Sequence, residues 1–235
     1  MSTLHDDIAS RLDAVRRRVA KAAISVGRKV DDVRLVAVSK TFSVEHIRAA
    51  AAAGQTDFGE NRVQEALQKI DASADLKIRW HLIGTLQSNK ARKAASYFHT
   101  IHSVDSLKLL RQIDAAAAEA STAPELLVQV DLGGEATKHG ALPSDAIEIV
   151  NAGVQCRTAR LVGLMTIPPY FDNPEDVRPY FASLRALRDT LLRDGAAPDA
   201  LRELSMGMSH DFEIAVQEGA TIVRIGTAIF GTRHV

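Results

Sequence analysis

Short apolar runs rich in Val, Ile and Leu alternate along this chain with longer stretches in which apolar residues recur every three or four positions. Runs at 35–39, 57–59, 80–83, 100–104, 126–132, 161–167, 203–206 and 222–225 are predicted strands. Bounded by turn residues and often apolar at consecutive positions, they suit strands covered on both faces, as in a parallel sheet. The stretches between them carry helix signals. Ser43 precedes a run through Ile47 and five alanines to Gly54, and Ser106 precedes Leu109, Leu110 and Ile113, so each serine reads as an amino-terminal cap. Pro174 opens a longer run to Gly195 with Phe181, Leu184, Leu187 and Leu191 at helical spacing. Pro179 must fall in the first turn of that helix or kink it. Ahead of the first strand, Ile8, Leu12, Val15 and Val19 form the apolar stripe of an extra helix. Too little chain follows the eighth strand for a full closing helix, so this amino-terminal helix is expected to cover the barrel seam.

Eight strand signals separated by helices in 235 residues point to a single-domain α/β fold spanning 1–235, a (β/α)8 TIM-type barrel with an extra N-terminal helix. An open, doubly wound sheet is the structural alternative. No Gly-x-Gly-x-x-Gly follows the first strand, whose turn reads Val38-Ser39-Lys40-Thr41, and this weighs against a dinucleotide-binding fold.

Composition narrows the function classes. Lys plus Arg and Asp plus Glu are both 29, so neither a nucleic-acid-binding surface nor an acidic tail is expected. The lone cysteine, Cys156, excludes an internal disulfide and a cysteine metal cage, and it favours a reducing compartment. Charges throughout the first twenty residues leave no signal peptide, and no apolar run approaches the roughly 18 residues of a membrane span. The expectation is a cytoplasmic protein, monomeric, with no membrane partner.

In a barrel the strand carboxyl ends face the active mouth, which gives meaning to residues just beyond each strand. Lys40 is one of them. A lysine beside the low-dielectric wall of Leu35 to Val38 loses some preference for its charged form and becomes a candidate nucleophile toward an aldehyde; the plain alternative is an amine that snorkels to solvent. At the other end of the chain, Ser205-Met206-Gly207-Met208-Ser209 follows strand seven and Arg224-Ile225-Gly226-Thr227 closes strand eight. Loops after strands seven and eight are the usual phosphate position of this fold, with amides of a short terminal helix and the Thr227 and Ser209 hydroxyls as donors. A lysine nucleophile facing a phosphate cup suggests a phosphorylated aldehyde, of which pyridoxal 5′-phosphate (PLP) is the common one. A Schiff-base aldolase acting on a sugar phosphate would satisfy the same two features.

The same blocks resemble the pyridoxal phosphate homeostasis protein family. Leu35 to Thr41, Phe58-Gly59-Glu60-Asn61 with Gln64-Glu65, Trp80-His81-Leu82-Ile83-Gly84 with Leu86 to Lys90, Gly163-Leu164-Met165, Leu204 to Ser209, and Arg224 to Gly231 carry the resemblance over nearly the whole chain. It implies the barrel domain of alanine racemase standing alone, with PLP held as an aldimine on Lys40. It also implies a non-enzymatic role in vitamin B6 homeostasis, with other B6 vitamers and apo PLP enzymes as further partners. Two departures from the family pattern stand out: His210-Asp211 where two acidic residues are usual, and Asp131 where asparagine is frequent.

Within that resemblance, Arg224 could direct its guanidinium at the pyridine nitrogen, where a fixed positive charge disfavours protonation and weakens the ring as an electron sink. A phosphate or carboxylate partner is its alternative. Asn61 is a candidate for the ring hydroxyl or a helix cap, and Met165 for ring packing or plain core. The competing function is a low-activity PLP-dependent enzyme such as an amino-acid racemase. Three further groups are set aside. His81 reads as a satisfied core histidine, and His99 with His102 do not share the strand face a metal site needs. Lys90, Arg92 and Lys93 read as a solvated helix face. Lys138 reads as a solvated loop lysine, with an aldehyde-scavenging amine as the alternative.

Overall fold

The computed structural model describes residues 3–134 and 139–232. Eight parallel strands pair in chain order and close on themselves: β1 (Arg34–Val38), β2 (Asp57–Glu60), β3 (Arg79–Leu82), β4 (Thr100–Val104), β5 (Glu125–Gln129), β6 (Arg160–Met165), β7 (Glu203–Ser205) and β8 (Ile222–Ile225). The helices are α1 (Leu4–Ser25), α2 (Val44–Ala52), α3 (Val63–Ala72), α4 (Ala91–Tyr97), α5 (Leu107–Ala120), α6 (Pro143–Gly153), α7 (Arg178–Arg193), α8 (Phe212–Gln217) and the single turn α9 (Thr227–Phe230). Among the described residues no helix is long and apolar enough to cross a membrane.

The predicted strand positions hold, with two ends corrected. β5 stops at Gln129 rather than 132, because Val130 makes only an isolated bridge to Ala141 and Asp131 Oδ1 turns the chain by accepting from the amides of Gly133 and Gly134. β6 stops at Met165 rather than 167, just short of Pro168 and Pro169, which have no N–H for a ladder. Ser106 caps α5 by accepting from Leu109 N–H, but Ser43 makes no such bond; its hydroxyl pairs with His46 Nδ1. Pro174 opens a 3₁₀ turn (Pro174–Val177), and α7 begins after it with Pro179 in its first turn, where the missing N–H costs nothing.

Helix α1 starts with a reciprocal cap between Thr3 and Asp6 and buries Ile8, Leu12, Val15 and Val19 completely or nearly so. That stripe packs against α2, α8 and α9, which flank the β8–β1 junction. The helix thus covers the outside of the barrel seam, as its pattern predicted.

The apolar core lies mainly between the sheet and the helices, where side chains such as Leu12, Phe58, Leu82, Ile101, Phe181 and Phe212 are fully buried. Each contributes about 1.5–3 kcal/mol of burial free energy. Inside the barrel the apolar filling is a small group, Val36, Leu127, Val162, Met165 and Ile222. Asp57, His81, Thr100, His102, Ser205 and Arg224 are also buried. The strands are covered on both faces as expected, but much of the inward face is covered with polar rather than apolar side chains. At the strand amino ends, ion pairs Arg79–Asp57 (2.7 Å), Arg202–Glu125 (2.7 Å) and Arg34–Glu203 (3.5 Å) gather. The opposite end is left for a cavity.

Candidate binding site at the carboxyl-terminal mouth of the barrel

A cavity of about 430 Å³ opens where the strands end. Its apolar wall is Val38, Phe42, Ile83, Ile167 and Met208; its polar lining is Lys40, Asn61, Gln129, Ser209, His210, Arg224 and Thr227, with backbone at Gly84 and Gly226. Among the described residues no carboxylate lines it, so Lys40 and Arg224 give it a cationic character.

Lys40 is presented by a tightly held turn. Thr41 adopts the left-handed backbone region (φ 68°), which a residue with a Cβ occupies only at some cost. Three groups fix the turn. The Lys69 ammonium donates to Ser39 O (2.8 Å), Glu60 Oε1 (2.8 Å) and Glu65 Oε1 (2.7 Å), while Glu65 Oε1 also accepts from Thr41 N–H (2.7 Å). Ser39 Oγ donates to Glu60 Oε1 at 2.7 Å. Burial pushes the Glu60 carboxyl above its usual range despite the lysine, and its Oε2 has no hydrogen-bond partner. Lys40 itself therefore projects from a segment whose backbone is anchored on both sides.

Arg224 reaches the cavity from β8 and is 3% exposed. Its guanidinium donates to Ser205 Oγ (2.6 Å) and to Thr166 O (2.9 Å), both neutral acceptors. Burial lowers its pKa to about 10, with Asp211 opposing that shift, so it remains a cation at neutral pH. A buried cation with neutral partners, facing a cavity without carboxylates, is chemically matched to an anion.

The loops after β7 and β8 are stitched together beside it. Ser209 Oγ accepts from Ala228 N–H at 3.3 Å, which leaves its own proton for an outward donor role. Gly207 has φ +93°, and a Cβ there would lie 2.5 Å from the Ala215 Cβ, so only glycine fits. Asp211 stands before α8 yet does not cap it; its carboxylate accepts from Met208 N–H at 2.6 Å. Burial raises the Asp211 pKa, which the Met208 bond and Arg224 partly offset.

Of the residues expected at the site, Lys40, Asn61, Ser209, Arg224, Gly226 and Thr227 come together around this cavity. Ser205, Gly207 and Met165 do not line it. Ser205 is buried beneath as the acceptor for Arg224, Gly207 shapes the loop, and Met165 packs with Val36, Leu127, Val162 and Ile222 in the barrel interior. Sequence reasoning missed Phe42, Ile83, Gly84, Thr85, Gln129, Ile167, Met208 and His210. Several lie at or just past a strand end, so the rule that found Lys40 would have found them if applied to every strand. Gly84 is forced by close approach, because a Cβ there would lie 2.3 Å from Asn61 O. His210, one of the two departures from the family pattern, stacks on Tyr170 and contacts Phe171 O at 3.1 Å through Nε2.

His81 is a fully buried core histidine with two hydrogen-bond contacts, as its pattern predicted, and His102 is its neighbour at 3.0 Å. His99 lies before β4 rather than in it. Among the described residues no group of three or more His, Cys, Asp or Glu could hold a metal. Lys138 lies outside the described residues.

Comparison with known proteins agrees with this fold. The family model described as alanine racemase, N-terminal domain, matches residues 10–234. The pyridoxal phosphate homeostasis protein of Aquifex aeolicus is 46% identical over 223 residues, covering 95% of this chain and 97% of that relative. PipY of Synechococcus elongatus, solved with PLP bound, is 41% identical with a TM-score of 0.85, over 95% of this chain and 100% of that one. Alanine racemase of Clostridium difficile, at 15% identity and TM-score 0.71, covers 98% of this chain but 58% of its own and shares the fold. This chain belongs to the alanine racemase N-terminal domain family and, within it, to the pyridoxal phosphate homeostasis proteins.

Proposed function

We propose that this protein holds PLP in the cavity at the barrel mouth, with Lys40 as the covalent anchor, and serves vitamin B6 homeostasis without turning over amino acids. The observation that carries the reading is the buried Arg224 cation, bonded to neutral acceptors in a cavity that no described carboxylate lines. Such a site suits a flat, anionic ligand, and the apolar wall of Val38, Ile83, Ile167 and Met208 suits its ring. PLP bound there supplies an aldehyde carbon and an anionic phosphate. The Lys40 nitrogen bonds that carbon and a water leaves. Ser209 and Thr227, with the backbone at Gly226, receive the phosphate, and Gly207 shapes the loop that carries Ser209. Asn61 is assigned to the ring hydroxyl, and Arg224, held by Ser205, to the ring nitrogen, where its charge disfavours protonation. Met165 supports this layer from below. PipY, a relative at 41% identity solved with PLP bound, supports PLP as the ligand.

The non-catalytic part of the reading has separate support. Among the described residues neither tyrosine nor cysteine lines the cavity, and His210 is the titratable side chain there besides Lys40 and Arg224. Cys156 follows α6 at the far end of the barrel, and burial raises its thiol pKa to about 11, which makes it inert. The relatives share a name for homeostasis rather than for a reaction. We assign the protein to the cytoplasm as a monomer that exchanges PLP and related B6 vitamers and passes PLP to apoenzymes.

Borohydride treatment of the PLP-loaded protein, followed by peptide mass mapping, is expected to label Lys40, and Lys40→Ala is expected to lose both the label and the visible absorbance. Full labelling elsewhere in Lys40→Ala would refute the anchor. Addition of amino acids to the loaded protein in deuterated water is expected to leave Cα hydrogens in place, and appreciable exchange would restore the racemase reading.

A further inference from the structure

Arg224 is connected to more than the serine beneath it. His102 Nδ1 lies 2.9 Å from Ser205 Oγ, His102 Nε2 lies 3.0 Å from His81 Nδ1, and His81 Nε2 lies 2.9 Å from Asp57 Oδ1. Asp57 closes the series in its ion pair with Arg79. All of the links from Arg224 to Asp57 are buried in the barrel interior, supplied by β8, β7, β4, β3 and β2 in turn.

The chemistry of the two ends gives this series one direction. A guanidinium only donates, so Ser205 Oγ accepts from Arg224 and its single proton is directed to His102 Nδ1. His102 then carries its proton on Nε2 and gives it to His81 Nδ1. His81 likewise carries its proton on Nε2 and gives it to the Asp57 carboxylate, which only accepts. Reversing any middle link would set two protons or two lone pairs against each other in a buried place. Burial lowers the pKa of both histidines, and Arg34 on β1, His99 before β4, and Arg224 itself add to the cost of a second proton; Asp57 alone opposes it, at His81.

We propose that His102 and His81 are positioning residues that hold the Ser205 hydroxyl with its lone pair toward Arg224, and so fix the aim of the Arg224 guanidinium at the ligand cavity. Barrel interiors are ordinarily filled by branched apolar side chains, and a buried polar series is seldom more stabilising than such packing. Its consequence at the cavity is the orientation of Arg224. This rests on the reading that Arg224 faces bound PLP.

The tautomers can be read without ligand. In the PLP-free protein, ¹⁵N NMR is expected to show His81 and His102 as neutral rings protonated at Nε2; an Nδ1–H ring at either position overturns the series. In the loaded protein, His102→Leu is expected to weaken PLP binding about tenfold, the scale of one charge-assisted hydrogen bond, and to shift the visible absorbance. Labelling of Lys40 should persist. His102→Gln, which keeps one acceptor and one donor, is expected to restore affinity and spectrum. A folded His102→Leu with wild-type affinity and spectrum, or a folded His102→Gln that restores neither, overturns the positioning role. If His102→Leu does not fold, the His102→Gln variant and the wild-type tautomers still decide. Failure of the Lys40 labelling alone would refute the ligand assignment and leave the tautomer result standing.

Discussion

Lys69 carries an unusual load for one side chain: its ammonium satisfies a backbone carbonyl and two carboxylates around the turn that presents Lys40. Removing it would strand the buried Glu60 charge. Lys69→Met is expected to lose about 3–5 kcal/mol in urea unfolding, and Glu60→Gln in the same chain is expected to recover part of that loss. Lys40 was legible in the sequence because it follows an apolar strand, and strand ends of this fold face a ligand. The clamp around it was not. Glu60 and Lys69 belong to a strand and to the following helix, with no periodicity that ties them, and only the packing of α3 beside β2 brings them to 2.8 Å. His210 was noticed as a departure, but its place in the cavity depends on a stacking partner, Tyr170, that lies forty residues earlier, as the numbering shows.

Helix α1 shows how far pattern alone reaches at the scale of an element. The spacing of Ile8, Leu12, Val15 and Val19 declares a buried face, and the structure seats that face over the β8–β1 seam, where the pattern was expected to put it. Leu12→Ala is expected to cost about 2–5 kcal/mol in urea unfolding, because the void would lie between rigid helices. Arg17→Ala on the opposite face, where the Arg17–Asp13 pair is largely exposed, is expected to change stability by less than about 0.5 kcal/mol. Strand starts were legible to within a residue, whereas the ends of β5 and β6 were not. Those ends are set by an aspartate turn and by two prolines acting on chain that still looks apolar.

For the molecule as a whole, the inward face of the barrel was the least readable part. A histidine or aspartate within an apolar run has the same local signature whether it meets water, a metal or another buried polar group. The closed sheet decides, by bringing Asp57, His81, His102 and Ser205 from four strands into sequence. That filling makes stability depend on acidity. Burial depresses the pKa of both histidines, so the folded protein keeps them neutral while the unfolded chain takes up their protons below about pH 6.5. Stability contributed by each is present above that pH and is lost as pH falls, at up to about 1.4 kcal/mol per pH unit per histidine. Urea midpoints measured from pH 7 to 5.5 are expected to fall more steeply in the wild-type protein than in His102→Gln, the difference approaching one proton.

The junction between β8 and β1, covered by α1, ties together segments that are far apart along the chain. During synthesis the stripe on α1 can meet α2 early, but its other neighbours, α8 and α9, leave the ribosome much later. Completion of the wall is therefore a late event, and a nascent chain halted before α8 would be expected to need a chaperone to shield the uncovered part of that helix.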